Sequence, residues 1–230
     1  MELNILYEDA AILVCHKPAG VATQSNRIGE MDMVSLIANY RSANGQEPYV
    51  GLVHRLDQPV EGVMVFAKTK KAAAELSRQV SSRRITKQYY AMVEGCPRQE
   101  EGELTDYLVR DGRTNTSRVT SEKDPQAKRA VLSYQVMKKM ENKSLLLITL
   151  HTGRHHQIRV QLAHAGFPVV GDRKYGLRSS GSPYMPLGLC SCRLNFVHPA
   201  SGKEMEFTIC PEGQAFAGVI PWLKRLPEKP

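Results

Sequence analysis

At 230 residues the chain is long enough to bury a substantial core, as one large domain or two small ones, and its 42% hydrophobic content gives no sign of disorder. Its 31 basic and 23 acidic residues leave a net charge of +8, which fits a polyanion partner, nucleic acid ahead of membrane, with a solvated basic surface as the competing reading. Five irregularly spaced cysteines argue against a disulfide framework, and neither a signal peptide nor a run of about eighteen apolar residues is visible, so the reading is a cytoplasmic protein.

Taken in chain order, residues 3 to 7 and 11 to 16 are short apolar runs that predict two strands or a hairpin leading into a turn at Lys17-Pro18-Ala19-Gly20. Met33 to Ala43 predicts a helix, with Val34, Ile37 and Ala38 on one face and Asn44-Gly45 as its stop. Val63 to Ala67 predicts a buried strand, after which Thr69 caps a helix striped by Ala72, Ala73, Leu76 and Val80. Arg83 and Arg84 close that helix, either as complements to its dipole or, with Lys87, as a phosphate-facing patch.

Thr86 to Gly95 alternates as a strand, with Tyr89, Ala91 and Val93 on one face and Tyr90 and Met92 on the other; Tyr90 is read as a core aromatic. Residues 96 to 127 are polar and carry no assignable period. Ala130 to Met137 and Leu145 to Leu150 predict a hairpin about residues 140 to 143, and a helix from about His155 to Ala165 is stopped by Gly166. A last hairpin turns at Ser201-Gly202, before a short helix ending near Leu223. Hairpins with interspersed helices predict an α+β protein: a mixed, mostly antiparallel central sheet with flanking helices and a catalytic cleft, over a single domain of residues 1 to 230.

The stretch His54-Arg55-Leu56-Asp57-Gln58-Pro59-Val60-Glu61-Gly62 sets one carboxylate among Arg, His, Pro and Gly just before a strand. Two readings compete here: a surface turn whose Asp caps its own backbone, and a loop that holds a nucleophile at the mouth of a cleft. Further stretches weigh for the second. With Lys17-Pro18-Ala19-Gly20, Lys87-Gln88-Tyr89-Tyr90-Ala91-Met92-Val93-Glu94-Gly95, Thr152-Gly153-Arg154-His155-His156-Gln157-Ile158-Arg159, Gly166 to Asp172 and Phe196-Val197-His198-Pro199, the chain resembles the RluA family of pseudouridine synthases, motif by motif and in order.

The resemblance implies the pseudouridine synthase fold and a uridine isomerase acting on structured RNA, ribosomal large-subunit RNA first and transfer RNA second. It implies Asp57 as catalytic nucleophile, Tyr89 as active-site tyrosine and Arg159 as the cation that pairs with the aspartate. A carboxylate is ionised near neutral pH and attacks without a general base; a guanidinium directs it, and a tyrosine can stack on a base and relay a proton. Attack at the sugar C1′, attack at the uracil ring and elimination through a glycal are all compatible with it. The target uridine is expected to flip out of its helix or loop.

Arg55, His54, Lys17, Arg154, Arg83, Arg84 and Lys87 are the candidate RNA contacts, although His54 also reads as a hydrogen-bonded scaffold residue. No cofactor, metal, membrane or obligate protein partner is implied, since the isomerisation is redox-neutral and His151, His155, His156 and His164 lack a known ligand spacing. With Lys17-Pro18 so near Met1, no amino-terminal S4-type domain is expected.

Two departures from the family pattern stand out. Val60 and Glu61 replace the usual Thr and Ser or Thr, and His155 stands where Thr is common. Val60 is expected to pack, and Glu61 to bring a second carboxylate near Asp57. A catalytically inactive RNA-binding relative of the same fold is therefore the alternative reading.

Overall fold

The computed structural model describes residues 2–25, 27, 29–176 and 185–226. The chain begins with the strands β1 (Asn4–Glu8) and β2 (Ile12–Lys17), helix α1 (Met33–Ala43), the short β3 (Gly51–Leu52), β4 (Glu61–Ala67), helix α2 (Lys70–Ser81) and β5 (Thr86–Glu94). It continues with β6 (Glu101–Asp111), β7 (Thr116–Thr120), β8 (Lys128–Lys139), β9 (Lys143–Leu150), helix α3 (Gln157–His164), β10 (Leu189–Val197), β11 (Glu204–Thr208) and helix α4 (Ile220–Leu223). Every pairing with a described register is antiparallel, and the elements form the expected α+β architecture.

Two compact units divide the chain: residues 1–86 with 191–209, and residues 87–190 with 210–230. In the first, β2 lies between β1 and β4, β4 adjoins β10, and β11 pairs with β10. All residues of β2 and β4 are buried, because helices or neighbouring chain cover both faces, and the two strands read as near-continuous apolar runs. Ile12, Val14, Val63 and Val65 pack with Leu76 of α2 and with Leu194 and Phe196 of β10. Helix α1 starts where Asp32 accepts the N–H of Ser35, and α2 where Thr69 accepts that of Ala72. These side chains satisfy donors that a helix start leaves open.

The close of α2 differs from the dipole reading of its two arginines. The helix ends at Ser81, and Arg83 adopts a left-handed φ of 57°. Its N–H bonds to Val80 O and that of Arg84 to Gln79 O, so Arg83 fills the left-handed position of a Schellman turn where glycine is usual.

The second unit carries the strand order β5, β9, β8, β6, β7. The polar stretch from 96 that lacked a period contains β6 and β7. Glu101 to Leu108 pair with Lys128 to Gln135, and the ribbon continues through β7. Its residues are largely exposed or half-buried, so little apolar alternation marks it in the sequence. The last short helix places Trp222 under Lys138, whose Nζ lies 5.5 Å from the ring centroid.

Helix α3 begins two residues later than its sequence predicts. His156 sits at a left-handed φ of 54°, outside helical geometry, and the helix starts at Gln157. Gln157 Oε1 accepts from the Thr152 hydroxyl at 2.8 Å and from Arg154 N–H at 2.9 Å, while its Nε2 donates to Val131 O at 3.1 Å. Tyr90, read as core, is only half-buried, whereas Tyr89 is the buried member of the pair.

Candidate active site

The first unit explains why a Lys-Pro-x-Gly turn and the Asp57 loop belong together. The carbonyl of Gln58, next to Asp57, accepts the N–H of Gly20 at 2.8 Å and the Lys17 ammonium at 3.1 Å. Gln58 Nε2 returns a bond to Gly20 O at 3.1 Å. The buried hydroxyl of Thr23 donates to Leu56 O and accepts from Leu56 N–H, at 2.8 and 3.2 Å. A turn bond from Val60 N–H to Asp57 O closes the loop, with Leu56 and Val60 buried on either side. Asp57 is thus half-buried on a backbone tied down at the residue before it, the residue after it and its own carbonyl.

Lys17, expected among the RNA contacts, lies inside the fold. It is fully buried, and its ammonium donates to Pro18 O at 3.0 Å and Val21 O at 2.6 Å as well as to Gln58 O. Its three donors are spent on three carbonyls. Burial pulls its pKa down to about 8, against the upward pull of Asp57 and Glu61.

His54 is likewise interior, with Nε2 accepting the N–H of Val65 at 3.2 Å, which fits the scaffold reading. Val60 packs as expected. Glu61 is buried at the start of β4 with Oε2 3.7 Å from His16 Nε2. Arg55, Arg83 and Arg84 are exposed in the same unit.

In the second unit Tyr89 lies buried on β5, opposite Ile148 of β9. Arg159 is buried on α3, and its Nε and Nη2 donate to Asp172 Oδ2 and Oδ1, both at 2.7 Å. Asp172 also accepts the N–H groups of Lys174 and Tyr175, at 2.9 and 3.1 Å. Burial raises its pKa, but the Arg159 hydrogen bonds and charge and the two N–H groups outweigh this, and the carboxyl is held below its ordinary range. The Arg159 guanidinium carbon lies 5.2 Å from the Tyr175 ring centroid.

Tyr175 ties this pair to its surroundings. Its hydroxyl accepts from Ser117 N–H at 2.8 Å and bonds His156 Nδ1 at 2.7 Å. His155 stacks on His156 at 3.8 Å between centroids and bonds the Ser117 hydroxyl at 2.9 Å. In the sequence Asp172 stands only as the end of the Gly166 to Asp172 stretch and Tyr175 carries no assigned role; in the structure Gly171, at a left-handed φ of 75°, admits the close approach of Pro186 O. Arg154 is exposed with Nε on Arg129 O at 3.0 Å, and Lys87 is half-buried, its pKa lowered by burial. Among the described residues no group of His, Cys, Asp or Glu side chains could hold a metal ion, and no helix is long and apolar enough to cross a membrane.

The profile of the RNA pseudouridylate synthase family matches residues 11–164. An "Uncharacterized RNA pseudouridine synthase" of Aquifex aeolicus (strain VF5) is 36% identical over 236 residues, covering 96% of this chain and 73% of the relative. The ribosomal large subunit pseudouridine synthase D of Pasteurella multocida (strain Pm70) is 34% identical over 222 residues, 90% of this chain and 67% of the relative.

YhcT of Bacillus subtilis (strain 168), an "Uncharacterized RNA pseudouridine synthase", is 40% identical over 178 residues, and there the chain spans only 58% of the relative's length. The solved structure of human RNA pseudouridylate synthase domain containing 4 matches with a TM-score of 0.78 at 24% identity, covering 96% of this chain and 93% of that one; this likeness supports the fold. With the profile spanning the Asp57 loop and α3, and relatives above 30% identity along most of its length, the chain belongs to the RNA pseudouridylate synthase family.

Proposed function

We propose that this protein isomerises specific uridines of structured RNA to pseudouridine, with Asp57 as nucleophile, Tyr89 as the base-stacking and proton-relaying tyrosine and Arg159 as the cation that serves the aspartate. In the net reaction the N1–C1′ bond breaks, a C5–C1′ bond forms, C5 loses its proton and N1 gains one. No electrons leave the substrate and no group donor is consumed.

The observation that carries this reading is the anchoring of Asp57. Its loop is bonded to the 17–23 turn through Leu56 and Gln58, and this supports a carboxylate held in one direction before substrate arrives. Arg159 is comparably fixed by Asp172, which supports a role that depends on direction as well as charge. Ribosomal large-subunit RNA is the preferred substrate, because relatives such as that of Pasteurella multocida carry that name, with transfer RNA second. Arg55, Arg83, Arg84, Arg154 and Lys87 are the proposed RNA contacts.

The test is a pseudouridine map of unmodified ribosomal and transfer RNAs after incubation with the wild-type chain and with Asp57→Asn, read by carbodiimide-dependent reverse-transcription stops. A stop at a discrete uridine with the wild type alone supports the reaction and the nucleophile together. Equal stops with Asp57→Asn would remove Asp57 from that role. RNA binding by both proteins with no stop in either pool would favour the inactive relative.

A further inference from the structure

Between β3 and β4 the chain runs from residue 53 to residue 60 outside any strand or helix, so the backbone on either side of Asp57 has no sheet ladder to hold it. At Leu56 one side chain takes the place of a neighbouring strand. The Thr23 hydroxyl donates to Leu56 O at 2.8 Å and accepts Leu56 N–H at 3.2 Å, so a single oxygen serves both backbone polar groups of the residue before Asp57. Thr23 is 2% exposed and Leu56 7%, which shields these bonds from bulk water.

Thr23 is itself held from the other side. Its carbonyl accepts the N–H of Val34 at 3.3 Å and that of Ala22 accepts Met33 N–H at 3.0 Å, so the first turn of α1 grips the backbone that carries the hydroxyl. Asp32, buried, caps the same helix through Ser35 N–H at 2.7 Å and accepts Ser25 N–H at 2.6 Å, which pins the chain just beyond Thr23. We propose that Thr23 is a positioning residue for uridine isomerisation: its hydroxyl carries the rigidity of α1 through Leu56 to Asp57.

This inference rests on the reading of Asp57 as the reacting carboxylate. In each route open to it, attack at C1′, attack at the uracil ring or proton removal on the way to a glycal, a carboxylate oxygen must meet one substrate atom, and a misplacement of about 1 Å costs about a hundredfold in rate. Leu56 is one peptide away from Asp57, so a shift of its backbone passes directly to the carboxylate. Thr23→Val keeps the shape and loses the hydroxyl; Thr23→Ser keeps the hydroxyl and loses the methyl. The two substitutions therefore separate the bonds to Leu56 from the filling of a buried site.

The experiment compares wild type, Thr23→Val, Thr23→Ser, Thr23→Cys and Asp57→Asn as full chains. It follows tritium release from RNA transcripts carrying [5-³H]uridine, drawn from the same ribosomal and transfer RNA pools, and records the urea midpoint of each protein. In Thr23→Val kcat should fall by about thirtyfold with KM for RNA within about twofold of wild type, the mark of a loss made in the transition state and not in RNA binding. Thr23→Ser should hold kcat within about threefold of wild type although the missing methyl lowers its urea midpoint. Thr23→Cys, whose thiol is a weak donor and a weak acceptor, should fall between the two, and it stands in for Thr23→Val if that variant does not fold.

Thr23→Val, or Thr23→Cys in its place, turning over like wild type beside an inactive Asp57→Asn overturns the inference and leaves the nucleophile standing. Equal kcat losses with and without the hydroxyl, or losses that simply follow the urea midpoints, also overturn it, since that is what a merely structural side chain produces. Turnover by Asp57→Asn, or no tritium release by the wild type, instead sinks the reading on which the inference rests.

Discussion

Arg159 and Asp172 form a buried two-pronged pair, Nε and Nη2 on the two carboxylate oxygens at 2.7 Å each, closed over by the Tyr175 ring. The geometry fixes the guanidinium plane, and Arg159 has only one further nitrogen to offer elsewhere. Asp172→Asn removes the charge and little volume, leaving a buried cation without its compensating partner. A cost of about 3–5 kcal/mol is expected in urea unfolding, together with a fall in turnover at unchanged RNA affinity. A variant as stable as the wild type would mean that the pair is energetically idle.

The same pair sets an acid limit. The folded-state pKa of Asp172 lies below its ordinary value of 3.8, so its contribution is fully present above that value and is lost as pH falls through the folded value. Stability measured from about pH 6 downward should therefore drop most steeply below about pH 4. Asp172→Asn should flatten that part of the curve, while Glu8 and Asp9, also held low, keep a residual slope. An identical acid limb in both proteins would place the lability elsewhere.

How far the sequence disclosed all this depends on the reach of each interaction. Helix α1, the Thr69 cap of α2 and the alternation of β5 were legible because the residues that decide them are neighbours in the chain. The β6–β7 ribbon was not, since partly exposed strands carry little apolar alternation. Lys17 read as an RNA contact because nothing in its motif announces that Val21 O and Gln58 O, 4 and 41 residues away, will accept its hydrogen bonds. The motifs located the candidate site residues without their supports. Thr23 under Leu56, Asp172 against Arg159 and His16 beside Glu61 are contacts between segments, and only the fold assembles them.

Gly62 tests the rigidity of the Asp57 loop from behind. Its φ of 145° is strained for any side chain, and a Cβ there would lie 2.4 Å from Ser191 Cβ and 2.5 Å from Ser191 N. Gly62→Ala should be destabilised by more than about 4 kcal/mol, or fail to accumulate as soluble protein. Adding Ser191→Gly should not restore it, because the backbone N and Cα of residue 191 remain in the way. Full rescue by Ser191→Gly would show that the clash is confined to the side chain.

Arg83 separates a structural from a binding role in one residue. A non-glycine side chain in the left-handed turn after α2 costs about 1 kcal/mol, so Arg83→Gly should stabilise the protein by about that amount in urea unfolding. An arginine at this strained, exposed position is then explained if its charge meets RNA phosphate. In that case Arg83→Gly weakens binding to the ribosomal RNA pool similarly for all sequences and lowers the slope of log affinity against log salt by about 1. Arg83→Lys, which keeps both the charge and the strain, should leave stability and slope near wild type. A stabilised Arg83→Gly with an unaltered salt slope would assign Arg83 to the turn alone and leave the phosphate contacts to its neighbours.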